Sequence, residues 1–520
     1  MAIVNYKIKL LVVFFLAVIF LVPFFSAQNF SPAADEITHL PSGYSYWKTG
    51  KIELNPQHPP LVKLLASFPL LFLDLNFDKN DPYLVGEWKN EWEFGRKFLF
   101  SNNADKLLLL GRLTPVLLSV LLGFYVFKWA SEMFNYRAGI LSLFLYTFMP
   151  SIIAHAQFVA TDLAVSVFSF ITLYYLWRFF KSGDAKFIKY VGIGLGLTLA
   201  SKFSGLTMVP IVIFLIFVYS LQKGDIAKND DFIKWNALIL GLGFLVAYVF
   251  YLFPLNATFY IDGLNSVYRD ATTGYHFYLN GNFSENGWWY YFIWAFIIKT
   301  PIPALAVFLL SFLAYKKYNL TGLEKMTILV PVVAYFVLIS MKAGNIGVRY
   351  ILPVYPFLIL YAGGLMSFKL NLNKKLLFAC IAGLGIWYVF SAVKIYPDYL
   401  AYFNELVGGP ANGHKYLDDS NIDWYQDLKR LKAYQVEHPE TKVMYSWRRS
   451  SPQYYGIKND LLSSAINLSS LASPSGRFAI STNLLIRMKF GHTMQDEVPD
   501  WLALYEPVDR IGYSFFVYEF

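Results

Sequence analysis

Residues 10–25 read LLVVFFLAVIFLVPFF, and the cations Lys7 and Lys9 precede them. A run of this kind without a charged side chain predicts a helix inserted in a bilayer. Because basic residues flank such helices on the cytoplasmic side, we expect a cytoplasmic N-terminus, with the following residues outside. The stretch has no clear small-x-small cleavage site, and further apolar stretches follow it. We therefore interpret it as a retained membrane anchor, not a signal peptide.

The composition of the whole chain extends this assignment. Of the 520 residues, 56% are hydrophobic and 15% are charged, and the mean hydropathy is +0.42. These values exclude an ordinary soluble domain and place the chain in a cell membrane. The net charge of +9 does not indicate nucleic acid, because the Lys and Arg residues fall in short loops between apolar stretches. There they act as topology signals, so the predicted partner is the lipid bilayer.

The apolar stretches predict an α-helical polytopic membrane protein with about eleven transmembrane helices. They are residues 10–25, 107–127, 138–153, 164–180, 187–200, 203–221, 235–253, 290–313, 326–341, 351–366 and 376–395. An odd number of spans places the chain after residue 395 outside the membrane. Inside the fifth stretch, Gly192, Gly194 and Gly196 predict close helix packing through small residues, not a nucleotide loop.

Two domains are expected from this pattern. Residues 1–395 form a transmembrane domain, and the more polar residues 396–520 form a small extracytoplasmic α/β domain. The first outer loop, 26–106, is longer than ordinary connections, and we expect interfacial helices in it. A second long outer loop spans residues 254–289.

Three elements are predicted inside the C-terminal domain. Residues 442–447 and 477–481 read as strands, and residues 424–437 read as a helix. Ser420 or Asn421 would cap that helix, with Asp423 in its first turn.

An acidic pair, Asp35-Glu36, follows the first apolar helix. Carboxylates beside a bilayer are costly unless the protein uses them. We predict that Asp35 is a catalytic base and that Glu36 orients the acceptor or the base, although the two roles are interchangeable at this stage. The plain alternative is that Asp35 caps an interfacial helix on a backbone amide.

Cations gather at the same predicted outer side: Lys63, Arg112, Lys202 and Arg349. Lys202 and Arg349 are either anchors that reach the interface or phosphate ligands. Arg112 lies inside an apolar run, where reaching the interface is harder, and there a functional role is favoured. Asp162 either pairs with a basic neighbour or shapes the acceptor side of a site.

One base and several cations match glycosyl transfer from a polyprenyl phosphate. The leaving group is already an anion, so it needs no general acid. The base takes a proton from an acceptor hydroxyl while Arg or Lys stabilises the charge on the departing phosphate. Attack opposite the leaving group inverts the anomeric centre.

Several motifs, spread over nearly the whole chain, carry a resemblance to a known family. They are Asp35-Glu36, His58-Pro59-Pro60-Leu61-x-Lys63, Gly111-Arg112-Leu113, Thr161-Asp162, Ser201-Lys202, Gly347-Val348-Arg349-Tyr350-Ile351-Leu352-Pro353-x-Tyr355-Pro356 and Asp419-Ser420-Asn421-x-Asp423-Trp424-x-Gln426-Asp427-Leu428. The chain resembles the phospholipid-carrier-dependent glycosyltransferases of the protein O-mannosyltransferase and aminoarabinose transferase superfamily, which have the GT-C fold.

The resemblance implies an enzyme that takes a sugar from a dolichyl- or undecaprenyl-phosphate donor. It implies a catalytic carboxylate in the first outer loop, Arg112 near the donor phosphate, and His58 and Lys63 near the donor or the acceptor. Among the candidate site residues we therefore count Lys63, Lys202 and Arg349 as further phosphate ligands, and His58, Asp162 and Tyr350 as residues that contact the acceptor or shape the site. His58-Pro59-Pro60 can also be a plain turn that ends a helix.

The sugar and the acceptor, whether protein, lipid or glycan, do not follow from the sequence. No His/Cys cluster or HExxH spacing occurs, so no zinc site is predicted. A divalent metal is compatible with the chemistry but is not required by it. The alternatives are a transporter or flippase of polyprenyl-linked sugars, and a membrane-anchored glycan-binding protein.

Overall fold

A computed structural model provides the structure of the protein. It describes residues 6–84, 88–222, 230–253, 258–271, 275–342, 344–368, 374–445, 451–458, 460–462, 475–490, 502 and 504–520. The helices are α1 Tyr6–Ala27, α2 Ala34–Thr49, α3 Leu61–Ser67, α4 Trp88–Phe100, α5 Ala104–Met133, α6 Tyr136–Thr147, α7 Pro150–Ala156, α8 Thr161–Ser182, α9 Lys186–Ser201, α10 Met208–Gln222, α11 Asp230–Phe250, α12 Phe259–Ala271, α13 Tyr291–Lys299, α14 Ile302–Leu313, α15 Gly322–Lys342, α16 Val354–Gly363, α17 Lys374–Lys394, α18 Leu428–Glu437 and α19 Thr482–Phe490. The strands are β1 Phe277–Leu279, β2 Asn282–Ser284, β3 Lys442–Tyr445, β4 Asp460–Leu462, β5 Arg477–Ser481, β6 Asp509–Ile511 and β7 Phe515–Glu519.

Membrane-crossing helices are fewer than the sequence predicts. Within the described residues, six helices are long and apolar enough to cross a membrane, or up to eight if each of two bent pairs forms one span. The six correspond to α1, α5, α8, α10 with the turn before it, α11 and α15. The protein is therefore a helical polytopic membrane protein with six to eight candidate spans.

The difference from eleven has two physical causes. The predicted spans 138–153 and 290–313 are broken helix pairs, α6 with α7 and α13 with α14, bent by 64° and 115°. Pro150 and Pro301 lie at these breaks, where proline cannot continue a helix. The stretches 187–200 and 351–366 form α9 and α16, which have 16 and 10 residues and are shorter than a span. The stretch 376–395 forms α17, of which the described apolar part is Ala379–Lys394. Hydropathy alone does not separate a short core helix from a crossing one.

Glycines of α9 pack it between two neighbours. A Cβ at Gly194 would lie 2.6 Å from Thr172 Oγ1 of α8, and one at Gly196 would lie 2.6 Å from the Gly243 carbonyl oxygen of α11. These contacts confirm the prediction of packing through small residues. They fix the end of α9, and with it Lys202, beside the start of α8.

The segment between α1 and α5, predicted to be the first outer loop, contains α2, α3 and α4. Helix α2 begins after Ala33, whose N–H donates to Glu36 Oε2 at 2.9 Å. The capping bond is thus made by Glu36, not by Asp35, which corrects the alternative role considered for Asp35. Asp35 and Glu36 lie in the first turn, where the helix dipole stabilises carboxylates.

The C-terminal region contains a five-stranded sheet in the order β4-β3-β5-β7-β6. Strand β3 pairs in parallel with β4 and β5, whereas β7 pairs antiparallel with β5 and β6. Side chains alternate along β3: Val443 and Tyr445 pack with α18, and Met444 packs with α19. Both predicted strands are present, although residues 446 and 447 lie outside the described residues.

The predicted helix 424–437 begins later, at Leu428. Asp419–Asn421 is a separate 3-10 turn, so the prediction that Ser420 or Asn421 caps the helix is wrong. The Asn421 side chain instead accepts a hydrogen bond from Val348 N–H at 3.0 Å and donates one to Tyr291 Oη at 2.9 Å. Tertiary contacts here take the place of a local cap, and they join this turn to the membrane helices.

Candidate active site

Four charged side chains from distant parts of the chain meet in one cluster. Arg349 Nη1 lies 2.8 Å from Asp35 Oδ2, and Lys202 Nζ lies 2.5 Å from Asp162 Oδ1. Arg349 Nη1 is also 4.0 Å from Asp162 Oδ2, which joins the two pairs. We call Asp35, Asp162, Lys202 and Arg349 the charged quartet.

Each member of the quartet lies at the end of a helix or in a short turn. Asp35 and Asp162 lie in the first turns of α2 and α8, where the helix dipole favours a negative charge. Lys202 follows the last residue of α9 in an extended conformation. Arg349 lies in the 3-10 turn Val348–Ile351. The ends of these four elements therefore lie close together, and this brings the four charged side chains into contact.

Two aromatic rings border the cations. Lys202 Nζ lies 4.4 Å from the centroid of the Tyr350 ring. The guanidinium carbon of Arg349 is 5.5 Å from the same ring and 4.6 Å from the Trp424 ring. Cation–π contacts of this kind hold a positive charge without using its N–H groups.

Several buried polar atoms around the quartet have no hydrogen-bond partner among the described residues: Arg349 Nε, Asp162 Oδ2, His58 Nδ1 and His155 Nδ1. Buried polar groups in proteins are nearly always paired, so each exception needs an explanation. Here a donor, an acceptor and two ring nitrogens are left open in one region. Such a region is equipped to bind a polar or charged ligand.

The charges around Asp35 determine its protonation. Burial by itself raises the pKa of Asp35, but Arg349, His39 and Lys202 together outweigh burial and lower the pKa below its ordinary value. The carboxylate is therefore ionised at neutral pH. The Asp35 side chain is 19% exposed, whereas the neighbouring Glu36 side chain is fully buried.

Two histidine rings lie beside Asp35. The rings of His39 and His58 are in edge-to-face contact, with their centroids 4.8 Å apart. His39 Nδ1 lies 3.0 Å from the Val159 carbonyl oxygen, which can only accept, so Nδ1 carries the proton. Burial lowers the pKa of both histidines below the ordinary value.

Glu36 and Arg112 form a closed, buried pair. The Arg112 side chain is 3% exposed and donates twice to Glu36, at 2.8 and 2.6 Å. Its other N–H groups reach the carbonyl oxygens of Ala27, Phe30 and Ser31. All five N–H groups are thus used inside the protein. A contact between Arg112 and a donor phosphate, which stays a prediction, would have to replace one of these hydrogen bonds.

Lys63 is also engaged inside the protein. Its Nζ donates to the carbonyl oxygens of Asn55 and His58, both at 2.7 Å, and lies 2.9 Å from Tyr46 Oη. Burial lowers the pKa of Lys63 to about 7. With these partners the fully buried Lys63 side chain fixes the loop that carries His58-Pro59-Pro60, and its role as a phosphate ligand stays a prediction.

Two residues that contact or flank the charged quartet, His39 and Trp424, are not among the predicted site residues. His39 lies one helical turn after Asp35, and a spacing of four on α2 would have placed both on one face. Trp424 lies in a motif that was quoted, but no local pattern shows that its ring reaches Arg349, 75 positions earlier in the chain.

No metal site is evident in the parts of the chain that the structure covers: no three His, Cys, Asp or Glu side chains there lie close enough to hold an ion.

Comparison with known proteins finds one family model that is similar to part of the chain. Residues 99–230 match the model of the dolichyl-phosphate-mannose-protein mannosyltransferase family. No curated protein sequence matches the chain significantly.

Two crystal structures of ArnT from Cupriavidus metallidurans have a similar fold. Each shares 16% sequence identity with the chain, covers 98% of it and is itself covered over 97%. The TM-score is 0.50 for the structure bound to undecaprenyl phosphate and 0.52 for the apo state. At this identity the likeness establishes the fold. The chain therefore shares its fold with ArnT, and its residues 99–230 are similar to the dolichyl-phosphate-mannose-protein mannosyltransferase family.

Proposed function

We propose that the protein transfers a sugar from a polyprenyl-phosphate carrier to an acceptor hydroxyl at the outer face of the membrane, with inversion. The observation that supports this most is the charged quartet, in which an ionised, partly exposed Asp35 lies beside two cations. ArnT, whose fold is similar, is bound to undecaprenyl phosphate in one of its structures. The leaving phosphate is an anion, so this reaction needs one base and cationic stabilisation.

In this mechanism Asp35 removes the proton of the acceptor hydroxyl as its oxygen attacks the anomeric carbon. The bond from that carbon to the phosphate oxygen breaks, and its electron pair leaves with the phosphate. Arg349 and Lys202 bind the phosphate and stabilise the growing charge. Asp162 holds both cations in place, since it lies 2.5 Å from Lys202 and 4.0 Å from Arg349.

Other predicted site residues have different proposed roles. His58 and Tyr350 line the ligand region, because His58 Nδ1 is buried without a partner and Tyr350 borders both cations. Glu36, Arg112 and Lys63 hold the first outer loop in shape. No divalent metal is needed in this account, because Arg349 and Lys202 supply the positive charge.

The proposed topology has a cytoplasmic N-terminus, a transmembrane catalytic domain at 1–395 and an extracytoplasmic domain at 396–520. In support of a shared outer side, the start of α2 and the C-terminal region are hydrogen-bonded to each other: Ser31 N–H donates to the Gln426 carbonyl at 2.8 Å. Loss of the protein should remove one glycan from cell-envelope material, as seen by mass spectrometry. The wild-type chain should restore it and Asp35→Asn should not.

Removing either cation should weaken donor binding. We expect Arg349→Gln and Lys202→Gln each to weaken binding of undecaprenyl phosphate by about 10-fold to 100-fold, since a charge-assisted hydrogen bond contributes roughly 1.5–3 kcal/mol. Binding is measured on the purified protein in nanodiscs. Arg178→Gln and Lys325→Gln, which make the same charge changes away from the quartet, should bind as the wild type does. Unchanged affinity in both quartet variants would contradict the phosphate role.

The pH dependence of transfer should report on Asp35. Activity requires the ionised carboxylate, so it is retained above the pKa of Asp35 and lost as pH falls through it. Because that pKa is lowered, the acid limb of kcat/KM should lie below the ordinary carboxylate range. Arg349 is the strongest of the charges that lower it, so Arg349→Gln should move the limb to higher pH. The acid limb of kcat/KM should not move in Arg178→Gln. If it does not move in Arg349→Gln either, Asp35 is not the base.

A further inference from the structure

The C-terminal region contributes a side chain to the charged quartet. The indole of Trp424 lies 4.6 Å from the guanidinium carbon of Arg349 and is 3% exposed. Its own position is fixed by ring contacts with His155 and Phe158, at centroid distances of 6.2 and 5.9 Å. Trp424 therefore forms a rigid wall behind Arg349.

The backbone around Trp424 is bonded to the neighbours of Asp35. Ala34 N–H donates to the Trp424 carbonyl at 3.0 Å, and Ala34 directly precedes Asp35. Ser31 adds two hydrogen bonds to this contact: its Oγ donates to the Tyr425 carbonyl at 3.0 Å and accepts from Leu428 N–H at 3.1 Å. One segment of the C-terminal region is thus fixed to the start of α2.

The same segment is bonded to the neighbours of Arg349. Asn421 Oδ1 accepts from Val348 N–H at 3.0 Å, and Ser420 Oγ donates to the Ile346 carbonyl at 2.7 Å. Residues 420–428 therefore connect the turn that carries Arg349 with the helix that carries Asp35. The distance between the base and the phosphate ligand depends on this connection.

The hydrogen bonding of Arg349 explains what the Trp424 ring contributes. Within the described residues its guanidinium makes one hydrogen bond, from Nη1 to Asp35, and its buried Nε makes none. The attraction of Asp35 and Asp162 alone would draw the guanidinium onto the carboxylates. A ring on its flat face attracts the cation without consuming N–H groups, which stay available for a ligand.

We propose that Trp424 is a positioning residue, which holds the guanidinium of Arg349 so that its unpaired N–H groups face the donor phosphate. The C-terminal region is then part of the active site and not an appended module. This inference rests on the proposed function, since it assigns the phosphate to Arg349.

The test compares substitutions at Trp424 that keep or remove an aromatic ring. Trp424→Leu should weaken binding of undecaprenyl phosphate by about 3-fold to 30-fold, the range of a desolvated cation–π contact. Trp424→Phe keeps an aromatic ring and should restore most of the affinity, which a loss of packing volume alone would not produce. In an Arg349→Gln background, Trp424→Leu should have little further effect.

A matched control exists in the C-terminal sheet. Phe516 is buried and lies 4.6 Å from the guanidinium carbon of Arg510, the same separation as in the Trp424 pair. Phe516→Leu should leave undecaprenyl-phosphate affinity unchanged, and thermal unfolding of all variants shows whether they are folded.

The measured affinities show whether Trp424 positions Arg349. Equal affinity of the wild type and Trp424→Leu, or equal losses in the Leu and Phe variants, overturns the positioning role. If Trp424→Leu does not fold, the Phe variant decides: affinity lowered as far as in Arg349→Gln overturns the proposal, and near-normal affinity supports it. Full transfer activity of Asp35→Asn instead overturns the proposed function itself, whatever Trp424 does.

Discussion

Replacement of Asp35 by Asn is expected to reduce the rate of sugar transfer by about 100-fold to 10,000-fold, the usual contribution of a general base. The amide has nearly the same shape but cannot accept the proton of the acceptor hydroxyl. Arg349 and Lys202 remain in place, so undecaprenyl phosphate should still bind. The measurement is the initial rate of transfer in nanodiscs, together with binding of undecaprenyl phosphate by the same preparation.

A control for this variant is available in the same segment between α1 and α5. Asp74 is exposed there, and Asp74→Asn makes the same chemical change without touching the charged quartet. Transfer by Asp74→Asn should equal that of the wild type. A rate within a few-fold of the wild type in Asp35→Asn would show that another group is the base.

Disruption of the Glu36–Arg112 pair is expected to affect stability first. Glu36→Gln or Arg112→Leu leaves a buried charge or a set of carbonyl groups without partners, and breaking a buried pair typically costs about 3–5 kcal/mol. Both variants should lower the midpoint of thermal unfolding and the yield of folded protein. This outcome separates Glu36 from Asp35, whose roles the sequence left interchangeable.

Replacing both partners tests the same point from the other side. In Glu36→Met with Arg112→Leu no charge stays buried alone, so part of the lost stability should return. Recovery should be incomplete, because the carbonyl groups of Ala27, Phe30 and Ser31 lose their donor. If the single variants unfold as the wild type does but bind undecaprenyl phosphate poorly, Arg112 is a phosphate ligand after all.

Much of the fold was predictable because helices that cross a bilayer consist of long runs of apolar residues, which are recognisable in the sequence. A span must be apolar along its whole length, so each predicted stretch corresponds to a helix or a bent pair. The bends were harder to predict. Pro150 and Pro301 mark the breaks, yet proline also occurs inside intact helices here, as Pro115 does in α5. Only the packing of neighbouring helices decides between a kink and a break.

The identity of the charged residues was predictable, but their pairing was not. Asp35, Asp162, Lys202 and Arg349 stand out because ionisable groups near a bilayer are costly. Arg349 and Asp35 are 314 positions apart, and nothing local shows that they meet. Arg112 was the converse case, since an arginine in an apolar run indicates either a ligand or a buried pair. Whether Arg112 binds a ligand or forms a buried pair depends on where the Glu36 side chain lies. Neighbouring residues on a helix point in different directions, so the sequence does not show whether Asp35 or Glu36 reaches Arg112.

The most direct test of the account is an experimental structure of the protein with undecaprenyl phosphate. The account predicts phosphate oxygens within hydrogen-bond distance, roughly 2.7–2.9 Å, of both Arg349 and Lys202, with Asp35 open to the side from which an acceptor would attack. The phosphate bound elsewhere, with the ion pairs of the charged quartet unchanged, would contradict it.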